Sequence, residues 1–228
     1  MMSLPFMPHH AKPIFWVSVF ACFGFWLAVY VIIIQRGIKD KSYGMPIGAL
    51  CGNIAWEFMF SCIFLADYLA IRIGNFLWLL LDMGILWTVV KHGKADFSAP
   101  FMKKWLYPII LIGVFMAAFL GIPFVKVYKD TQGFLTGWIQ AFLMSILFIS
   151  MLVRRDDVRG QSLYIALFMF LGNVPAYYWV KYFPDPIGGL DSRMNFAITV
   201  ATCILNLIYI ALIYQKCRRQ SINPWTRL

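Results

Sequence analysis

Glutamate is almost missing from this chain: 228 residues contain one, Glu57, within the stretch CGNIAWEFMF at 51–60. Acids of both kinds number 10 against 20 Lys and Arg, and 13% of residues are charged, where soluble domains carry about 25%. That scarcity excludes an ordinary solvated domain. Other absences narrow the chemistry. There is no Gly-rich phosphate loop, no His-x-x-x-His pair, no Gly-x-Ser-x-Gly elbow and no Asn-x-Ser/Thr sequon, so nucleotide-driven transfer, zinc hydrolysis and serine hydrolysis lose their usual carriers. The last apolar run holds no lysine, which argues against a retinal-type Schiff base. The acidic DDVRG at 156–160 lacks a third acid and a second metal motif, and reads as a solvated turn. The histidines at 9–10 have no carboxylate or thiol partner nearby and read as part of a tail, so no metal and no cofactor is expected. Cys22, Cys51, Cys62 and Cys203 sit inside apolar runs and read as small packing residues.

What the chain has in plenty is hydrocarbon. It is 61% hydrophobic with a mean hydropathy of +0.73. Seven apolar runs of membrane-spanning length fall at 14–35, 44–66, 74–90, 105–125, 133–153, 161–182 and 193–215. The runs are too long and too continuously apolar for barrel strands, which leaves helices as the way to satisfy a backbone in lipid. The expected fold is an all-α membrane protein of seven transmembrane helices. A tail at 1–13 precedes a helical domain at 14–215, and a basic tail follows at 216–228.

The net charge of +10 does not point to nucleic acid, because its distribution follows the membrane. The N-terminus and the loops after runs 2, 4 and 6 carry six Lys and Arg, and the opposite side carries fourteen. By the positive-inside bias the N-terminus is outside or lumenal and the C-terminus cytosolic, with the basic side meeting anionic lipid. Location follows the host: endoplasmic reticulum in a eukaryote, plasma membrane in a bacterium.

Runs 1–3 and 5–7 read as two related halves around run 4. SYGMPIGALCGNIAWE at 42–57 aligns without gaps with SLYIALFMFLGNVPAY at 162–177, matching Ser42 with Ser162, Gly52 with Gly172 and Asn53 with Asn173. Both segments cross in the same direction, so the reading is a parallel 3+1+3 repeat. On that register Glu57 corresponds to Tyr177, and Asp82 to Asn206. Ser42 is expected to cap run 2 with Pro46 in its first turn. Pro175 lies inside run 6, and Pro108 and Pro123 near the ends of run 4.

Two carboxyls fall at membrane depth. At 1.5 Å per residue, Glu57 is about 20 Å and Asp82 about 13 Å from the cytosolic ends of their runs. A charged carboxylate there costs several kcal/mol. Asn53 shares a helix face with Glu57, and Gln140, Asn173, Tyr177, Asn206 and Tyr209 reach similar depth. A carboxyl in hydrocarbon keeps its proton and can pass it to a weak base such as an epoxide oxygen or an alkene. Aromatic faces would then shelter the carbocation; Trp56, Phe58, Phe60, Trp78, Trp138, Tyr177 and Tyr178 are available.

SYGMPIGALCGNIAWEF, LWLLLDMGI and RGQSLYIALFMFLG together resemble the small seven-span terpene cyclases of fungal meroterpenoid and indole-diterpene pathways and their bacterial relatives. Asn-x-x-Trp-Glu on run 2 is the most specific element. The resemblance implies a membrane enzyme of isomerase or lyase type, without metal or diphosphate chemistry. Such enzymes protonate an epoxide or terminal alkene of a prenylated substrate and drive ring closure. It places the catalytic acid on Glu57 and a second carboxyl on Asp82. Beside them, Asn53, Trp56, Asn173, Tyr177, Asn206 and Tyr209 are expected, from their place in the runs, to bind or orient substrate. Where relatives carry Asp-x-x-Tyr in the last run, this chain has NLIY, so Asn206 replaces the aspartate and Tyr209 keeps the tyrosine. The expected partners are that hydrophobic substrate and membrane lipid. The alternative from another class is a seven-helix proton-coupled transporter using Glu57 and Asp82 as its carboxyl pair.

Overall fold

A computed structural model describes residues 11–183 and 190–228. The histidines at 9–10, and most of the expected tail at 1–13, lie outside the described residues. Among those described the chain is helical, with no strand. The helices are α1 (Pro13–Lys39), α2 (Ile47–Phe58), α3 (Leu69–His92), α4 (Pro100–Tyr128), α5 (Phe134–Arg155), α6 (Leu163–Lys181) and α7 (Ser192–Arg219). Six of them are long and apolar enough to cross a membrane. The other, α2, continues through a wider π turn at Met59–Ile63 and ends there, giving 17 residues, about 25 Å. The expected run of 44–66 is therefore trimmed at both ends. Pro46 stands at the N-cap and cannot continue the helix backward, and Phe64 leaves helical geometry at ψ 79°.

Ser42 does not cap α2. Its hydroxyl donates to Asp96 Oδ2 at 2.6 Å, tying the α1–α2 connection to the α3–α4 connection. Its counterpart Ser162 does cap, accepting from Ile165 N at 3.3 Å. The difference is distance along the chain: Ser162 directly precedes α6, whereas residues 43–46 separate Ser42 from α2. Pro108 and Pro123 are inside α4, which runs further at both ends than the apolar run, and Pro175 is inside an unbroken α6.

Six helices close a ring. α1 packs on α3 and α6, α6 on α7, α7 on α5, α5 on α2, and α2 on α3. α4 packs outside the ring against α2. Only Leu106, Ile110 and Val125 of its 29 residues are buried, so most of its surface is left to lipid.

The two ends of the ring differ. At one end Asp40 accepts from Arg227 Nη2 at 2.5 Å and from Gly160 N at 2.8 Å, and also pairs with Arg36. Asp96 meets Arg155 and Arg159. Lys216 beside the exposed Asp156 holds that carboxyl below its usual range. Gly160, at φ +74°, lets this end close: a methyl on its Cα would sit 2.5 Å from the Tyr43 carbonyl oxygen. Behind these loops a large apolar core that includes Ile33, Met45, Leu50, Ile85, Phe148 and Ile213 fills the adjoining half of the ring. The other end is spanned by a 2.6 Å bond from Gln132 Nε2 to Asp67 Oδ2, between the α4–α5 and α2–α3 connections.

Candidate active site

A cavity of about 140 Å³ lies inside the ring. Its wall is drawn from the half of the bundle away from the charged loops: Ile71, Asn75 and Trp78 from the first turns of α3, Phe134 to Met144 from the first half of α5, and Asn173 to Val180 from the second half of α6. Five indoles stand on it, Trp26, Trp56, Trp78, Trp138 and Trp179, together with Phe134.

Glu57 is on this wall and 2% exposed. The spacing of α2 puts Asn53, one turn earlier, on the same face, and Trp56 also lines the cavity. Asp82 comes from α3 and meets Glu57 side chain to side chain, also lying against Asn53. It is 0% exposed and stands behind Glu57, off the wall. Glu57 Oε2 and both Asp82 oxygens receive no hydrogen from the described residues. The fold thus joins the two carboxyls that the sequence placed at similar depth.

A chain of hydrogen bonds ends on the same carboxyl. Gln140 Nε2 donates to Asn53 Oδ1 at 2.6 Å, Asn53 Nδ2 to the Tyr30 hydroxyl at 2.6 Å, and that hydroxyl to Glu57 Oε1 at 2.9 Å. Tyr30 escaped the sequence reading because it sits in the apolar run LAVYVIII. Its depth was the available signal: 17 residues past the start of α1, about 25 Å from that end, it is too deep for the interface. Trp26, one turn away on the same face, escaped with it.

Other expected residues separate. Asn173 lines the cavity with its Nδ2 unpartnered. Tyr177, Asn206 and Tyr209 are not on the wall. Tyr177 packs edge-on against Phe196 of α7 at 6.1 Å. Asn206 accepts from Ser145 Oγ at 2.8 Å, joining α7 to α5. Tyr209 donates to Gln161 Oε1 at 2.8 Å near the charged end. Of the aromatics named from sequence, Trp56, Trp78 and Trp138 face the cavity and Phe60 backs Trp56 at 4.8 Å. Phe58 and Tyr178 are exposed on the outer surface.

A family model described as Pyr4-like transmembrane terpene cyclases matches residues 2–220. The chain belongs to this family. Among relatives of this family member is the Pyr4-family terpene cyclase mfmH of Annulohypoxylon moriforme, 28% identical over 191 residues, spanning 81% of this chain and 78% of the relative. Terpene cyclase ascF of Acremonium egyptiacum is 28% identical over 233 residues, covering 91% and 85%. Terpene cyclase pyr4 of Aspergillus fumigatus is 32% identical over 157 residues, covering 65% and 62%. No solved structure matches. The family is one of membrane enzymes of cyclase type, and nothing in these similarities favours the transporter reading.

Proposed function

We propose that this terpene cyclase protonates an epoxide or terminal alkene of a prenylated, meroterpenoid-type substrate and drives carbocationic ring closure. The observation that carries the reading is Glu57 on an indole-lined cavity with Asp82 directly behind it. Two ionised carboxylates in contact in so apolar a place would repel strongly, so the pair holds a shared proton. Glu57 gives that proton to the epoxide oxygen as the C–O bond breaks, or to the terminal alkene carbon. Neighbouring alkenes attack the cation in turn, and the indole faces of Trp56, Trp78 and Trp138 stabilise the charge as it moves. The last cation loses a proton to the carboxylate pair, which restores the acid and makes the reaction a net isomerisation. Asp82 acts through Glu57, stabilising the proton donor and taking part in its recovery.

The reactive end of the substrate enters first, because the cavity lies in one half of the ring and the other half is filled by core. The test is Glu57→Gln. That variant is expected to express and insert normally and to give no cyclised product from an epoxyprenyl substrate; full turnover would reject the proposed acid.

The membrane arrangement belongs to the same reading. α2 serves as the seventh span in this reading, which is supported by the bonds near its two ends, Ser42 to Asp96 and Gln132 to Asp67, between connections on opposite faces of the ring. A 17-residue helix is accommodated by local thinning of the bilayer. The charged end faces the cytosol and the tail at 1–13 the outside or lumen, with residues 14–215 in the membrane and 216–228 beyond it. The ring order α1–α3–α2–α5–α7–α6 is unchanged when α1, α2, α3 exchange with α5, α6, α7, which supports a parallel 3+1+3 repeat with α4 as the linker. The membrane is the endoplasmic reticulum in a eukaryote.

A further inference from the structure

The polar chain beside Glu57 has a fixed direction, set by an atom that can play one role only. The Ala49 main-chain carbonyl accepts and never donates, and Gln140 Nε2 donates to it at 3.0 Å. The same nitrogen reaches Asn53 Oδ1 at 2.6 Å. With its oxygen so engaged, Asn53 turns Nδ2 to Tyr30. The phenol accepts that hydrogen and gives its own to Glu57 Oε1 at 2.9 Å. Glu57 Oε1 is therefore an acceptor, and the acid hydrogen belongs on Oε2, the oxygen to which no described group donates.

We propose that Gln140 is a positioning residue: by anchoring this chain on the Ala49 carbonyl it keeps the acid hydrogen of Glu57 on Oε2. The inference rests on the general-acid reading above and names the atom that carries it out. Once the proton has gone, the same phenol hydrogen bonds the carboxylate left behind, a charge-assisted contact about twice as strong as a neutral one. Gly52 is part of the device. A methyl on its Cα would sit 2.5 Å from Gln140 Oε1 and 2.8 Å from Nε2, so the amide can lie across α2 only because this position has no side chain.

The test uses infrared difference spectra of the purified full chain in lipid nanodiscs. The C=O stretch of the protonated Glu57 carboxyl is assigned by its loss in Glu57→Gln. Donation to the carbonyl oxygen lowers that frequency, so Tyr30→Phe and Gln140→Met are both expected to raise it, and Gln140→Asn, too short to reach Ala49, should do the same in a milder replacement. With an epoxyprenyl substrate that the wild type converts, Gln140→Met is expected to lower kcat about 10- to 100-fold at unchanged KM. A band that moves in Tyr30→Phe and stays put in both Gln140 variants would overturn the proposal. So would a raised KM at unchanged kcat, which would make Gln140 a plain substrate contact, or a wild type with no protonated-carboxyl band at all. The spectra need no turnover: a wild type inert towards every epoxyprenyl substrate sinks the cyclase reading and leaves the infrared result to be judged alone.

Discussion

The Trp56 indole N–H donates to the Thr136 hydroxyl across 2.9 Å, tying the cavity wall beside Glu57 to the first turn of α5. The hydroxyl passes its own hydrogen to Asp130 Oδ2 at 2.7 Å, and Asp130 also accepts from Leu135 N and Thr136 N at 3.0 and 2.8 Å. A carboxylate at the start of a helix is held well by free amides, so the indole rests on a rigid support. Gly133 and Gly137 leave the space it fills, with added methyls falling 2.8 and 3.4 Å from its ring.

Thr136→Val keeps the shape and removes the acceptor. The expected result is retained substrate consumption with a larger share of incompletely cyclised or water-quenched product, because a loosened indole no longer follows the moving charge. Product ratios by mass spectrometry decide it, and an unchanged profile would detach Trp56 placement from the outcome of the reaction.

Asp82→Asn should express normally, since an amide fills the same space and can bond Glu57 and Asn53. Without a second carboxyl to share the proton, kcat is expected to fall about 10²- to 10⁴-fold with KM little changed. Steady-state kinetics beside Glu57→Gln makes the comparison; near-wild-type turnover would remove Asp82 from the acid.

Depth along a helix was legible in the sequence, and direction around the helix axis was not. Each apolar run contains the body of a helix, and counting residues put Glu57 and Asp82 at heights where they do meet. Asn53 shares Glu57's wall because i−4 positions lie on one helix face. Tyr177 has the right height, and its ring turns to Phe196 of α7 instead. Asn206 and Tyr209 follow the same rule, each finding a partner on another element. Such rotations are set by packing between helices, which no single run encodes. Tyr30 follows the same pattern: its depth could be counted along α1, and its partners on α2 could not.

Asn206→Ala is expected to leave the products unchanged. Ser145 Oγ would keep the Ala141 carbonyl at 2.8 Å and lose the bond that joins α5 to α7, a net loss of about 0.5–1.5 kcal/mol. A lower melting temperature with the same product spectrum is the expected pair of results; loss of cyclisation in a stably folded variant would return Asn206 to the site.

Asp40→Asn tests the charged end. Asp40 joins Arg36, Arg227 and the Gly160 amide, and removing its charge leaves two guanidinium groups without their carboxylate. Faster proteolytic trimming of residues 221–228 is expected at wild-type product ratios, read by limited proteolysis and product analysis. Equal protease resistance would show that the remaining bonds, such as Tyr164 to the Trp225 carbonyl, suffice.

The core that fills the half of the ring behind the charged loops also governs how a catalytic cycle ends. In the proposed reaction a supple chain that threads inward becomes a stiff, compact polycycle, which with that half solid would back out through the half it came in by. Departure rather than bond making then sets the pace for the bulkiest products, and a burst of product in the first turnover would be its kinetic mark.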